Sequence, residues 1–258
     1  MKKMKYPKVL FLNLLAVIAL LLAACGGSAG TETDAIPQAT ASGDSEPVGG
    51  DTDSAPASSD ALVLDPANTT GDNAQALVGY LYEGLVRMDG DNVTGALAET
   101  YTVSEDGLDY IFDLRPGIKF HDGTDLNADA VIANFNRWFD PEDANRGSGE
   151  FAAWASNFGG FKGEVTEDGL AKSAYDGIEK VNDFTVLLHL NTIDPDFLKK
   201  LTDPAFSIVS PGAFERGDGG TGPYRFSALS GSTVTLEPFA GYWNPAAIPS
   251  EGMEAPLE

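Results

Sequence analysis

Apolar residues along this chain change their spacing several times, and each change marks a predicted element. Ala61 to Leu64 is a short apolar run stopped by Asp65-Pro66, which predicts a brief strand. From Asn73 to Met88 the apolar residues Ala74, Leu77, Val78, Leu81, Leu85 and Met88 recur at helical spacing, predicting an amphipathic helix with one face on a core. Asp89-Gly90 and Thr94-Gly95 are turns. Tyr101 to Val103 and Leu108 to Leu114 flank Ser104-Glu105-Asp106-Gly107; in the second run Leu108, Tyr110, Phe112 and Leu114 share one face while Asp109 and Asp113 face away. That pattern predicts a half-buried hairpin.

Further along, Arg115-Pro116-Gly117 turns the chain into Ile118 to Phe120, and Asp122-Gly123 turns it again. Asn127 is placed to cap a helix from Ala128 to Phe139, with Asp129 against its positive end and Val131, Phe135 and Trp138 on the buried stripe. Residues 142–177 are Gly-rich, carry Phe151, Trp154, Phe158 and Phe161 without a period, and receive no assignment. Phe184, Val186, Leu188 and Leu190 alternate as in a strand, and Asp194-Pro195 opens a short helix to Leu201. Tyr224 to Leu229 and Thr233 to Pro238 read as a second hairpin around Ser230-Gly231-Ser232, and Pro249 to Glu258 shows no element. Helices and strands mix without regular alternation, so the fold class is α+β.

The first sixty residues follow another logic. Lys2, Lys3, Lys5 and Lys8 precede an apolar run, Val9 to Ala24, broken only by Asn13. This is the layout of an export signal, too short to span a bilayer comfortably. Leu22-Ala23-Ala24-Cys25 is similar to the lipobox of bacterial lipoproteins. The similarity implies that residues 1–24 are removed and that Cys25, the only cysteine, carries acyl chains that moor the protein to the membrane. Gly26 to Asp60 holds seven acids among Gly, Ser, Thr, Ala and Pro, with no aromatic residue and no Lys or Arg. It cannot bury enough apolar surface to order itself, so residues 25–60 are expected to be a lipidated tether reaching about 30 to 35 Å.

Composition narrows the function. The net charge is −23, and setting residues 1–24 aside leaves it four units more negative. Phosphate backbones and anionic headgroups repel such a chain, which argues against nucleic acid and leaves membrane contact to the lipid. The same field favours cationic ligands on approach. Gly217 to Gly222 matches G-x-G-x-x-G but leads through Pro223 into a strand rather than a helix, so it is no dinucleotide fingerprint. Gly26 to Gly30 spells G-x-S-x-G in a tract that cannot form the required elbow, and Asp89 and Asp91 start a calcium-like loop that Val93 interrupts. Two histidines, His121 and His189, with no further cysteine make a metal site or a Ser-His-Asp triad improbable, and both read as half-exposed scaffold. No metal or cofactor is expected. Carboxylates are too abundant for a catalytic pair to be singled out.

Several segments in order carry a resemblance. Leu97-Ala98-Glu99, Tyr110 to Thr124 and Ala128 to Val131, with Leu64-Asp65-Pro66, Tyr82-Glu83-Gly84-Leu85, Ile208 to Pro211, Gly220 to Tyr224 and Tyr242-Trp243-Asn244, resemble the peptide- and nickel-binding class of ABC-importer solute-binding proteins, family 5. The resemblance runs from about Asp65 to Pro245. It implies a periplasmic-binding-protein-like fold of type II, a mixed sheet with flanking helices. It also implies a monomeric extracytoplasmic receptor of two hinged lobes that closes on an oligopeptide or similar small solute and hands it to ABC permease subunits. Closure would exclude water and let ligand main chain pair with protein strands. The signature turns and caps are expected to be scaffold. Contacts are expected from Thr69, Thr70 and Asp72, which the family places along the cleft, and from the aromatic surfaces of Phe151 and Trp154, with Thr221 and Gly222 near the passage between lobes. Core packing is the competing use of the two aromatics, and a helix cap or solvated acid that of Asp72.

Departures sharpen the expectation. Ala130 stands where the family helix usually has an acid, and little strand precedes Leu64. Family chains are much longer, so residues 61–258 are expected to form the first lobe without the second. The competing functions are a truncated remnant without transport activity and a lipid-anchored carboxylate hydrolase.

Overall fold

A computed structural model describes residues 62–214, 216 and 218–257; the export signal expected over residues 1–24, Cys25 with its expected acyl chains and the expected tether fall outside the described residues. Among the described residues, four α-helices and three sheets surround two hydrophobic cores. The first core forms under an antiparallel four-stranded sheet. Its strands, β3 (Ala98–Val103), β4 (Asp109–Leu114), β5 (Tyr175–Asn182) and β6 (Thr185–Leu190), stand in the order β3-β4-β6-β5. The period-two pattern decides which face is buried: Tyr110, Phe112 and Leu114 of β4 and Val186, Leu188 and Leu190 of β6 point inward.

Against that face lies α2 (Ala128–Phe139). Asn127 accepts the Ala130 N–H at 2.9 Å as its cap, and the stripe Val131, Phe135 and Trp138 is buried. Within 142–177 the structure supplies α3 (Ala152–Phe158), whose Trp154 and Phe158 join the same cluster; Trp138 and Trp154 lie 6.1 Å apart and Phe158 and Phe206 5.4 Å apart. Tyr175, the first residue of β5, closes the aromatic group. This core rests on edge and tilted ring contacts and one stacked pair, Phe135 with Tyr175, each of which adds to the area it buries.

The second core is aliphatic. Leu77, Val78 and Leu81 of α1 (Asp72–Leu81) pack with Val234 and Leu236 of a three-stranded sheet, β7 (Tyr224–Ser230), β8 (Thr233–Pro238) and β9 (Met253–Pro256), and with Leu62, Leu64, Val209 and Phe214. All pairings in this sheet are antiparallel.

Four expectations need correction. The helix from Asn73 stops at Leu81 rather than Met88, because Tyr82 is extended (φ −130°, ψ 155°) and its hydroxyl reaches the carbonyls of Leu64 and Arg216, which pins the chain away from the helix axis. Val86–Asp89 is instead β1, paired with β2 (Asn92–Gly95) across the Asp89-Gly90 turn. Leu62 to Leu64 pairs with no strand; its leucines are buried but its backbone enters a single 3₁₀ turn, Pro66–Asn68. The region after Pro249 contains β9, whose Met253 and Ala255 pack on the second core while Pro256 is tolerated at the sheet edge. The helix after Asp194-Pro195 shrinks to one turn, α4 (Phe197–Lys200), and Asp194 accepts the Asp196 N–H ahead of it.

Candidate functional site

The turn after Leu64 is tied down from several sides. Asp65 accepts the N–H of Ala67 at 3.2 Å and the amide of Asn68 at 2.8 Å, while its carbonyl accepts the Thr69 hydroxyl at 2.6 Å. Beneath it Arg137 of α2, only 1% exposed, pairs its guanidinium with the Asp65 carboxylate. A buried cation bonded to a carboxylate is costly to uncouple, so this pair fixes where the turn sits. From the other side Asn68 Oδ1 accepts the Phe151 N–H at 2.9 Å. Phe151 has φ 51°, the left-handed conformation, and is the only non-glycine with positive φ among the described residues. That conformation costs a β-carbon residue about 1–2 kcal/mol.

Two adjoining hollows open along this turn. One, of about 470 Å³, runs between Ala67 to Thr70 with Gln75 and Ser148 to Ala153 with Asp203 and Ala205. The other, of about 350 Å³, is lined by Val63 to Asp65, Asn68, Thr69, Thr70, Ala74 and Leu257. Thr69 and Thr70 thus stand on the ridge between them. The larger hollow has the carboxylates Glu150 and Asp203 at its wall and no Lys or Arg among its lining residues.

The remaining candidate residues lie elsewhere. Asp72 is exposed in the first turn of α1, whose N-cap is Gly71, so it caps nothing. The ring of Phe151 is 1% exposed, with the guanidinium groups of Arg137 and Arg146 at 5.2 and 4.4 Å from its centroid, and Trp154, also 1% exposed, donates its indole N–H to Gly160. Both rings serve the core, and Phe151 is also among the residues that line the larger hollow. Thr221 and Gly222 line neither hollow; the Gly222 N–H bonds to Leu81, and a β-carbon at Gly222 would come within 2.5 Å of the Tyr80 carbonyl. The residues that sequence reading missed are Asn68, Gln75, Glu150 and Asp203. Only Asn68 had a local signal, since an Asp-Pro-x-Asn turn invites its carboxamide to bond back.

The signature segments meet at two half-buried knots. Glu83 accepts hydrogen bonds from Thr221 Oγ1 (3.1 Å), Tyr242 Oη (2.9 Å) and Trp243 Nε1 (2.8 Å). Burial holds its carboxyl above the usual carboxylate range despite those three donors. Its main-chain carbonyl accepts the Ile208 N–H. Nearby, His121 Nε2 donates to the Gly222 carbonyl at 3.0 Å, and its ring meets Phe239 edge-on at 4.9 Å between centroids. Burial pushes the imidazole down to about 4; the Gly222 bond opposes this, the charge of Arg225 adds to it, and Asp122 and Asp218 oppose it. Asp122 accepts the hydroxyls of Ser210 and Thr124, each at 2.6 Å. Burial raises its pKa, but these bonds outweigh that and hold it below the ordinary value. His121 is half-exposed, as expected, and its bonds tie it into a packed junction. His189 does lie on the outer sheet face, bonded to Asp109 at 2.7 Å.

Comparison with known proteins agrees with this geometry. Residues 92–253 match the family described as bacterial extracellular solute-binding proteins, family 5, middle. The glutathione-binding protein GsiB of Escherichia coli (strain K12) is 35% identical over 191 residues, 70% of this chain and 33% of the relative. That of Pectobacterium atrosepticum is 33% identical over 195 residues, 72% of this chain and 34% of the relative. Among solved structures, HbpA2 from Haemophilus parasuis superposes with a TM-score of 0.64 at 28% identity over 77% of this chain and 41% of that one. The periplasmic binding protein DppA from Helicobacter pylori, in complex with the peptide STSA, has a TM-score of 0.63 at 23% identity over 78% and 41%. The chain spans about a third of the length of the curated relatives it matches. With its family segments knotted around Glu83 and His121 and the family model covering 92–253, this chain belongs to the bacterial extracellular solute-binding proteins of family 5.

Proposed function

We propose that the chain is the solute-capturing part of a lipid-anchored binding protein of an ABC importer, which takes an oligopeptide or similar small solute outside the cytoplasm and delivers it to the permease. The observation that carries the reading is the ridge of Thr69 and Thr70 between two adjoining hollows, held in place by the buried Arg137–Asp65 pair. Such a ridge offers hydroxyls and main-chain groups to a ligand backbone, so affinity need not depend on ligand side chains. Glu150 and Asp203 on the larger hollow suit the ammonium group of a zwitterionic solute such as a short peptide. Glutathione, the solute in the name of the 35% identical relative, is itself a tripeptide.

In this reading Asp72 adds negative charge at the entrance, Phe151 and Trp154 support the wall from beneath, and Thr221 and Gly222 keep their place at the passage toward a second lobe. The similar proteins named above are binding proteins, so the chain is read as non-catalytic and monomeric. No helix among the described residues is long and apolar enough to cross a membrane, and the anchor is assigned to acyl chains on Cys25.

Isothermal titration of the chain with a mixed tripeptide pool and with glutathione tests the solute reading. Saturable heat is expected, and Thr70→Trp, which sets an indole on the ridge, should remove it. Absence of saturable heat from every peptide would overturn the reading. Incorporation of labelled palmitate that disappears in Cys25→Ser tests the anchor, and its absence from the unaltered protein would refute it.

A further inference from the structure

The carboxamide of Asn68 is used at both ends. Its Nδ2 donates to Asp65 at 2.8 Å, and its Oδ1 accepts the Phe151 N–H at 2.9 Å. Asp65 is in turn bonded to the buried Arg137 of α2. One unbroken chain of bonds therefore runs from the helix scaffold through the Pro66–Asn68 turn to the opposite wall of the larger hollow. Phe151, where it ends, is held in the left-handed conformation that a phenylalanine does not adopt without compensation. Close packing reinforces the bond, because a β-carbon at Gly149 would lie 2.1 Å from Asn68 Nδ2 and 2.4 Å from Oδ1. The side chain thus fills the place where the two walls come closest, and the second wall can reach it only because residue 149 is glycine.

The geometry points to Asn68 as a positioning residue, a latch that sets the separation of the Thr69-Thr70 wall from the Ser148–Ala153 wall and thereby decides the length of solute the hollow accepts. The selection part rests on the solute reading above; the latch itself does not. Both hydrogen bonds of Asn68 lie outside the contacts between core rings, although the Phe151 ring itself packs in the aromatic cluster beneath with Trp138, Trp154, Phe158 and Phe206. What the bonds fix is the spacing of two partly exposed segments that have no strand pairing between them. Losing them frees Phe151 to relax toward an ordinary conformation and lets the second wall move outward.

Two variants attack the latch from opposite sides. Asn68→Ala removes both bonds, and Gly149→Ala leaves Asn68 chemically intact but drives its carboxamide off the Phe151 N–H. Amide hydrogen exchange at Phe151, read on the full chain without ligand, should accelerate by about tenfold in both. In titrations with trialanine and pentaalanine, both variants should raise the affinity for the pentapeptide relative to the tripeptide by about fivefold. Mere destabilisation would weaken both peptides together and leave that ratio unchanged. Unaltered Phe151 exchange in both variants would overturn the latch. Faster exchange with an unchanged affinity ratio would overturn the selection role. If neither peptide binds the unaltered protein, the solute reading and the selection role fall together, and the exchange result still decides the latch.

Discussion

Around Glu83 and His121, distant segments are joined by half-buried bonds: Tyr82 to Leu85, Phe120 to Thr124, Ile208 to Pro211, Gly220 to Tyr224 and Tyr242-Trp243 all meet there. Around Thr69 most bonds stay within the turn, and two long-range ties, Arg137 to Asp65 and Asn68 to the Phe151 N–H, hold it to the rest. The first region joins five of the segments by which the chain resembles its family; the second holds one, Leu64-Asp65-Pro66, together with the residues that line the hollows. Family membership is therefore written in the scaffold, while the surface that meets a solute is supplied by short segments with freedom to differ. A match to the signature identifies the architecture and leaves the ligand to be read from the hollow.

Experiments can break or sharpen that contrast. The largest effect is expected in the aromatic core: Trp138→Ala removes a ring packed on Phe135, Trp154 and Phe206 and should cost about 3–5 kcal/mol in urea unfolding. Next comes Glu83→Ala, which strands the donors of Thr221, Tyr242 and Trp243 and should cost about 3 kcal/mol by the same measurement. If it cost no more than a surface substitution, the knot would not hold the scaffold together.

His121 gives the contrast a pH signature. Its folded value of about 4 lies below the ordinary 6.5, so the unfolded chain takes up the proton first. The stabilisation is complete above about pH 6.5 and is lost as pH falls from there toward about 4, by about 3 kcal/mol. His121→Gln, whose side-chain amide can still reach the Gly222 carbonyl, should remove that part of the slope in chemical denaturation across the same range. The smallest effect belongs to the surface. Lys119 and Asp125 pair at 2.6 Å but are 52% and 68% exposed, so Lys119→Ala should change stability by no more than about 0.5 kcal/mol.

Much of the scaffold was legible because local chemistry and tertiary packing agree there. The cap at Asn127, the stripe Val131, Phe135 and Trp138, and the alternation in β4 and β6 each state their own environment. Legibility failed where packing overrides a local pattern. Leu85 and Met88 continue the period of α1, yet the buried anchoring of Tyr82 and Glu83 draws that segment into other contacts and Val86–Asp89 into a hairpin. Met253, Ala255 and Leu257 do alternate, but the run is short and Pro256 obscures it. Residues 142–177 stayed unreadable because α3 spans two turns and begins at a left-handed Phe151 that no propensity favours. At the candidate site, the placing of Thr69 and Thr70 came from the resemblance. Glu150 and Asp203 lie far from the turn in sequence, and only the fold brings them to its hollow.

The central claim is that the turn after Asp65 and the segment before α3 face the solute, while the signature segments support them. Amide hydrogen exchange of the whole chain with and without a saturating tripeptide pool tests it most directly. The account predicts added protection confined to residues 66–72 and 148–153, with 208–213 and 220–224 unchanged. Protection centred on the Glu83 and His121 segments, with none along the Thr69 ridge, would contradict it.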